Sequence, residues 1–219
     1  MQPRYHLCGA SALMMDVSDG PFDLTKQERL WALSAPGGDL VQVHGVRSLV
    51  LGVNNLLVMF DSDQIATKAL GDALDAAWAS SHARSMAGQL VEVPVRYDRT
   101  SGSELEGLAA HAGLGVAEVV RLHTSVDYCV ACIGSVPGFP YLVGLPDALA
   151  MPRHATPRPR VPKGAVAIGG AQTGIIPMDM PSGWHVLGST DLALFDPLRP
   201  KPCLLSPGDR VRFIDAEAV

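Results

Sequence analysis

No G-x-x-x-x-G-K-[ST] run occurs in the 219 residues, which excludes a P-loop, and no G-x-S-x-G run occurs, which argues against an α/β-hydrolase nucleophile elbow. Basic residues are in deficit. Lys and Arg total 17 against 22 Asp and Glu, the net charge is −5 and the pI is near 5.7, so nucleic acid and anionic membrane are disfavoured as partners. Long apolar runs are missing too. The longest, Leu49–Phe60, is interrupted by Gly52, Asn54 and Asn55, whereas a bilayer span takes about 20 apolar residues. The opening MQPRYHLCGASALMM has one early cation and is broken by Gly9 and Ser11, so no signal peptide is expected. Four widely placed cysteines do not make a disulfide scaffold, and a reduced, cytoplasmic protein is expected. Cys129-Val-Ala-Cys132 stands without a second C-x-x-C or an H-x₃-H, while zinc needs about four ligands. It lies in a strand-like run that sends i and i+3 to opposite faces, so these are read as structural cysteines and no metal site is expected.

What remains is enough for a core. The chain is 47% hydrophobic and only 18% charged, too little charge for a disordered chain. The length suits one or two domains of about 100–200 residues each. The mean hydropathy of +0.19 fits a chain that buries part of its apolar surface against another subunit.

Taken in order, Arg4–Val17 reads as a strand. Thr25-Lys-Gln-Glu28 has the capping-box form and opens a helix over Thr25–Ser34, ended by Pro36-Gly37-Gly38. Asp39–Val46 and Leu49–Phe60 read as strands. Ser62 caps a helix whose one face carries Ile65, Ala69, Leu70, Ala73, Leu74, Ala77 and Trp78, and Gln89–Tyr97 alternates as a strand. Strand, helix, strand, strand, helix, strand is the ferredoxin-like βαββαβ succession, so the fold class expected is α+β. Near Arg99 the character changes. Ser103-Glu-Leu-Glu106 opens a helix ending at Gly113, Val116–Thr124 forms another, and helical periodicity stops beyond Tyr128. The boundary falls near residues 86–100, giving a domain over 1–90 and a second over 91–219, with the last strand of the first able to run into the second.

From Gly134 to Phe213, Gly and Pro recur every few residues between short apolar runs, the pattern of short strands closing as a barrel or folded sheet. Its turns hold Arg153, His154, Arg158, Arg160, Gln172, Thr173 and Thr190. Arg153 and Arg158, with Arg160, suit a carboxylate or phosphate, because a guanidinium offers paired donors in one plane. Gly169-Gly170-Ala171-Gln172-Thr173-Gly174 matches no dinucleotide fingerprint and reads as a tight hairpin. His123 follows the apolar helix face of Val116, Val119 and Val120, where packing and proton transfer are both open to it. Trp184 and Phe139 either stack on a ligand or fill the barrel.

PGFPYL (Pro137–Leu142), PRHATPR (Pro152–Arg158), VPKGAVAIGGAQTGI (Val161–Ile175), SGW (Ser182–Trp184) and PGDRVRF (Pro207–Phe213), in that order, resemble the allophanate hydrolase subunit 1 family. That family includes the B subunit of bacterial ATP-dependent 5-oxoprolinase and the KipI-type inhibitors of sporulation kinases. The resemblance implies a cyclophilin-like β-barrel for the second domain. It implies ATP, with Mg²⁺, as cofactor and, as partner, a C subunit resembling allophanate hydrolase subunit 2. It places His123 and Gln172 as catalytic candidates, with Gln172 and Thr173 facing the cleft, and Arg153, Arg158, Thr173, Phe139 and Tyr141 as substrate- or phosphate-binding candidates. The reaction implied is ring opening of 5-oxo-L-proline to L-glutamate, with the chain inactive alone. The alternatives within the resemblance are a non-catalytic histidine kinase inhibitor and an allophanate or urea-metabolism carboxyltransferase-like subunit. Ser135, Ile176 and Ser189 depart from the family's pattern, Ser189 by replacing an Arg.

Overall fold

Alternation of apolar and polar residues builds the first sheet of the computed structural model, which describes residues 2–83, 88–97 and 103–216. The chain divides into two compact units, Met1–Met86 and Ala87–Val219. In the first, strands β1 (Arg4–Leu7) and β2 (Ala12–Asp16) precede helix α1 (Leu24–Ser34), and β3 (Val46–Leu51) and β4 (Asn55–Phe60) precede helix α2 (Thr67–Ser80). The sheet is antiparallel in the order β1-β2-β4-β3. Leu13, Met15, Leu56, Val58 and Phe60 recur at period two and bury one face against Leu30 and Leu33 of α1 and Leu70, Leu74 and Trp78 of α2.

Several expected elements change here. The strand expected over Arg4–Val17 is a hairpin, turned at Gly9 with φ 69°. Asp39–Gln42 is a 3₁₀ turn rather than strand. The run Leu49–Phe60 is split by Asn54, whose φ of 53° is a turn conformation that Asn tolerates. Asp23, not Thr25, caps α1, its carboxylate accepting from the Lys26 amide at 3.1 Å. Helix α2 begins at Thr67 rather than Ser62, with no side-chain cap. The strand expected over Gln89–Tyr97 is not in this sheet. The first unit is thus a four-stranded antiparallel sheet with α1 and α2, and β1 lies on its edge beside β2.

Asn54 also ties the hairpin to the helix. Its Oδ1 accepts from the Asp23 amide at 2.7 Å, its Nδ2 donates to the Asp23 carbonyl at 2.8 Å, and its amide donates to Oε1 of Gln27 at 2.7 Å, with Asn54 and Gln27 both buried. Asn54→Ala removes the side-chain bonds to Asp23 and Gln27 and keeps a left-handed backbone that Ala resists. The expected loss is about 3 kcal/mol of stability in chemical denaturation, and a change within about 0.5 kcal/mol refutes the tie.

The second unit holds β5 (Leu90–Val95), α3 (Leu105–Ala112), α4 (Val116–Thr124), β6 (Asp127–Ile133), β7 (Pro140–Val143), β8 (Arg158–Val161), β9 (Ala165–Gly169), β10 (Gln172–Ile175), β11 (Met180–Ser182), β12 (His185–Ser189) and β13 (Arg210–Asp215). Seven strands form one sheet in the order β12-β9-β10-β7-β6-β13-β5, and β8 pairs with β11. All its pairs are antiparallel except β5 with β13, which is parallel. The Arg96 amide donates to the Ser189 carbonyl at 2.8 Å and the Ser189 amide to the Arg96 carbonyl at 3.0 Å. That bridge joins the two ends of the sheet, so the sheet is a nearly closed barrel. Its inward face is built from Val93, Val130, Leu142, Val166, Leu187 and Phe213, packed against Leu105 and Leu108 of α3 and Val119 of α4. Residue Arg99, near which the sequence changes character, lies outside the described residues.

Cys129 and Cys132 lie on β6, and neither forms a disulfide, nor do Cys8 and Cys203. Burial pushes the Cys132 thiol up to about 12, so it stays protonated and inert near neutrality. Among the described residues no helix is long and apolar enough to cross a membrane.

Candidate functional site

Neighbouring residues on a strand face opposite ways, and β10 uses this to divide two candidates. Thr173 points inward and Gln172 outward, so they do not share one cleft as the resemblance implied. Thr173 Oγ1 donates to the Ala167 carbonyl at 3.0 Å and lies 3.0 Å from Nε2 of His123. The hydroxyl proton is thereby used, so Nε2 carries the imidazole proton and Thr173 accepts it. Nδ1 is then the acceptor, receiving the Tyr97 hydroxyl at 2.7 Å. The ring stacks on Phe213 at 4.5 Å between centroids, and His123 is fully buried. Burial lowers its pKa from the ordinary 6.5 to about 3. His123 is thus a neutral, doubly hydrogen-bonded packing residue at the end of α4, with no access to solvent.

The outward face carries an aromatic wall that is largely buried, since Phe139 and Trp184 sit in a second apolar cluster with Val161, Ala165, Ala167, Ile176 and Val186, and only Tyr141 of the three is part-exposed. Phe139 lies 5.0 Å from Tyr141 and 5.3 Å from Trp184, and Tyr141 lies 6.1 Å from Trp184, all edge-to-face. The Trp184 ring lies against two glycines. A Cβ on Gly169 would meet its ring atoms at 2.6–2.8 Å, and one on Gly174 would meet the ring at 3.2 Å and the Pro140 carbonyl at 2.9 Å. Gln172 pairs with Gly169 across the ladder, so its half-buried side chain emerges beside this wall. The exposed Arg153 guanidinium sits over the Trp184 ring at 5.3 Å, a cation–π arrangement. Phe139, Tyr141 and Arg153 are therefore grouped around the buried Trp184 ring, with Gln172 emerging beside it.

Arg158 goes elsewhere. Its Nη2 donates to the Trp184 carbonyl at 3.0 Å and pairs at 2.9 Å with Oε2 of Glu104. Arg160 pairs at the surface with Asp179. Glu104 joins Arg158 to two imidazoles. The capping box expected at Ser103–Glu106 is shifted, with Glu104 itself at the N-cap of α3 and Ser103 Oγ accepting the Leu105 amide at 3.3 Å. Around Glu104 stand His154, with Nε2 at 2.6 Å from Oε1, and His185, with Nδ1 at 3.7 Å from the same oxygen. No local signal marks this group, because its members come from α3, the Pro-rich turn and β12. Of the departures from the family's pattern, Ser135 takes a left-handed turn with φ 65°, Ile176 is buried, and Ser189 stands at the seam of the barrel.

Residues 3–205 match the family described as carboxyltransferase domain, subdomain C and D. The chain belongs to that family, the one of the 5-oxoprolinase B subunit and allophanate hydrolase subunit 1. Among its members, the B subunit of 5-oxoprolinase from Escherichia coli O157:H7 is 42% identical over 212 residues, covering 96% of this chain and 95% of that protein. The solved structure of TTHA0988 is 36% identical with a TM-score of 0.77, covering 94% of this chain and 40% of that one. The Kluyveromyces lactis urea amidolyase structure superposes with a TM-score of 0.84 over 99% of this chain and 15% of that one. At 20% identity it speaks for the carboxyltransferase C and D fold alone.

Proposed function

We propose that this chain is the B subunit of an ATP-dependent 5-oxoprolinase, which opens the lactam of 5-oxo-L-proline to L-glutamate. The observation that carries the reading is the 42% identity to a 5-oxoprolinase B subunit over nearly the full length of both chains. The outward wall supplies chemistry that suits the substrate. A five-membered lactam is flat and apolar on its faces, which suits the part-exposed Tyr141 ring backed by the buried Phe139 and Trp184, and its carboxylate is the natural partner of the exposed Arg153 guanidinium. The Gln172 amide can donate to a lactam oxygen and accept from a lactam N–H. His123 and Thr173 hold the floor of that wall from inside the barrel. Its proposed fold is the cyclophilin-like barrel, and the first unit is proposed as a ferredoxin-like variant with β1 on its edge.

The described residues do not by themselves make a nucleotide site. Gly113-Leu114-Gly115 before α4 lacks the Lys and the Ser or Thr of a phosphate-binding loop, and Arg158 and Arg160 are already paired. ATP with Mg²⁺ is accordingly assigned to the assembled complex, and a C subunit is the proposed partner that completes the site. Solved structures in which the equivalent of this chain fills only 40% or 15% of a longer polypeptide support a unit that works joined to others. Purified alone, the chain should not hydrolyse 5-oxoproline. With its partner subunits it should, and Arg153→Ala or Gln172→Ala should each lower kcat/KM by about 100-fold without changing the melting temperature. Turnover by the isolated chain, or full activity of both variants, would overturn the reading.

A further inference from the structure

Glu104, His154 and His185 converge beside Trp184, where Arg158 links the Glu104 carboxylate to the Trp184 carbonyl, and one ligand atom from each falls within 4.8 Å of the others. His185 is 5% exposed. Its Nε2 lies 2.8 Å from the Pro152 carbonyl, which can only accept, so Nε2 carries a proton and Nδ1 is the nitrogen left to present a lone pair. That lone pair faces Oε1 of Glu104 at 3.7 Å, and the carboxylate oxygen is itself an acceptor. Two acceptors 3.7 Å apart leave no donor between them, and a cation held there would satisfy both.

The surroundings orient this set in the way that outer partners orient metal ligands. Oε2 of Glu104 is taken by Arg158 at 2.9 Å and by the Val186 amide at 2.9 Å, which turns Oε1 toward the imidazoles. The Pro152 carbonyl holds the His185 ring, and the His154 amide donates to the Gly183 carbonyl at 2.8 Å, which anchors the turn bearing the second imidazole. The two rings lie 3.9 Å apart between centroids, and Nε2 of His154 reaches Oε1 at 2.6 Å. Glu104 and His154 keep 25% and 29% of their side chains exposed, which leaves a way in from solvent.

We propose that Glu104, His154 and His185 bind one divalent transition-metal cation of the zinc class. Two imidazoles and one carboxylate are the donor set of an open site, with a remaining position for water or an anionic ligand. Arg158 draws on the same carboxylate, which weakens it as a ligand. It also places a guanidinium where an anion on the metal would meet it.

Titration of the full-length chain with Co²⁺ alone tests this. One equivalent should raise a visible d–d band that Zn²⁺ abolishes. His154→Ala changes a partly exposed turn and Glu104→Gln keeps the shape of the side chain, so circular dichroism should show both folded. Each should weaken Co²⁺ binding by at least about 10-fold. A d–d band of the same strength in both folded variants, or no band at millimolar Co²⁺ in the parent chain, would overturn the proposal and leave a proton on His185 as the charge that meets Glu104.

Discussion

Taking the protein from pH 7 to about pH 4 costs the second unit on the order of 3 kcal/mol of stability through one imidazole. His123 has its pKa lowered from 6.5 to about 3 by burial. The unfolded chain therefore binds a proton below 6.5 that the folded chain refuses until about 3. Stability from this group is whole above 6.5, falls steadily as the pH drops through that interval, and is fully lost below about 3. Asp16 adds a separate acid limb. Burial works against its charged form, but hydrogen bonds from Ser18 and Arg4 outweigh it and hold the carboxyl at about 2, below its ordinary 3.8. Its contribution is present above 3.8 and is lost only as the pH falls toward 2, beneath most of the histidine's window. Denaturant midpoints measured across pH should therefore show a slope of about one proton between pH 6 and pH 4. His123→Gln, which can still reach Tyr97 and Thr173, should be less stable near neutrality and lose that slope. An unchanged slope in the variant would place the acid sensitivity elsewhere.

Gly169→Ala should both destabilise the barrel and disable the outward wall. The added methyl group would sit at 2.6–2.8 Å from three atoms of the Trp184 ring, closer than any real contact, so the indole must move. Overpacking of this kind costs about 1–3 kcal/mol. The functional effect should be larger than the loss of stability suggests. Trp184 carries Arg153 over its ring, packs on Phe139 and Tyr141, and receives Arg158 at its carbonyl. A displacement of about 1 Å at such a surface costs about 100-fold in rate. The measurements are a melting curve, the emission of Trp184 against a background of Trp31 and Trp78, and kcat/KM of the assembled complex. Gly107→Ala supplies the control, since nothing lies within 4 Å of a Cβ placed there and Ala favours the interior of α3. Equal activity of the two variants would remove the aromatic wall from the site.

Local signals were read well where local physics decides. Val116–Thr124 is helical at the residues its periodicity marks, because one apolar face and a free C-terminal turn suffice. The Gly- and Pro-rich last third forms short strands, because its turn residues set their own backbone angles. Splitting Leu49–Phe60 needed Asn54 to be seen as a turn rather than an interruption, and only the bonds to Asp23 and Gln27 make that turn worth its conformation. Similarly, Gly169 and Gly174 read as turn residues, while their decisive property is the space they leave for an indole from another strand.

Composition, periodicity and motif order by themselves determined an α+β chain with an all-β last third, the helices α3 and α4, and membership of one family. Tertiary structure alone decided that β5 leaves the first sheet to pair in parallel with β13, because strand edges are satisfied by partners that no local pattern names. It also decided that His123 and Thr173 face the core while Gln172 faces out, since a strand's two faces acquire meaning only once the barrel closes. The meeting of Glu104 with His154 and His185 is of the same kind: three separate segments converge on one carboxylate oxygen, and convergence is a property of space, not of spacing.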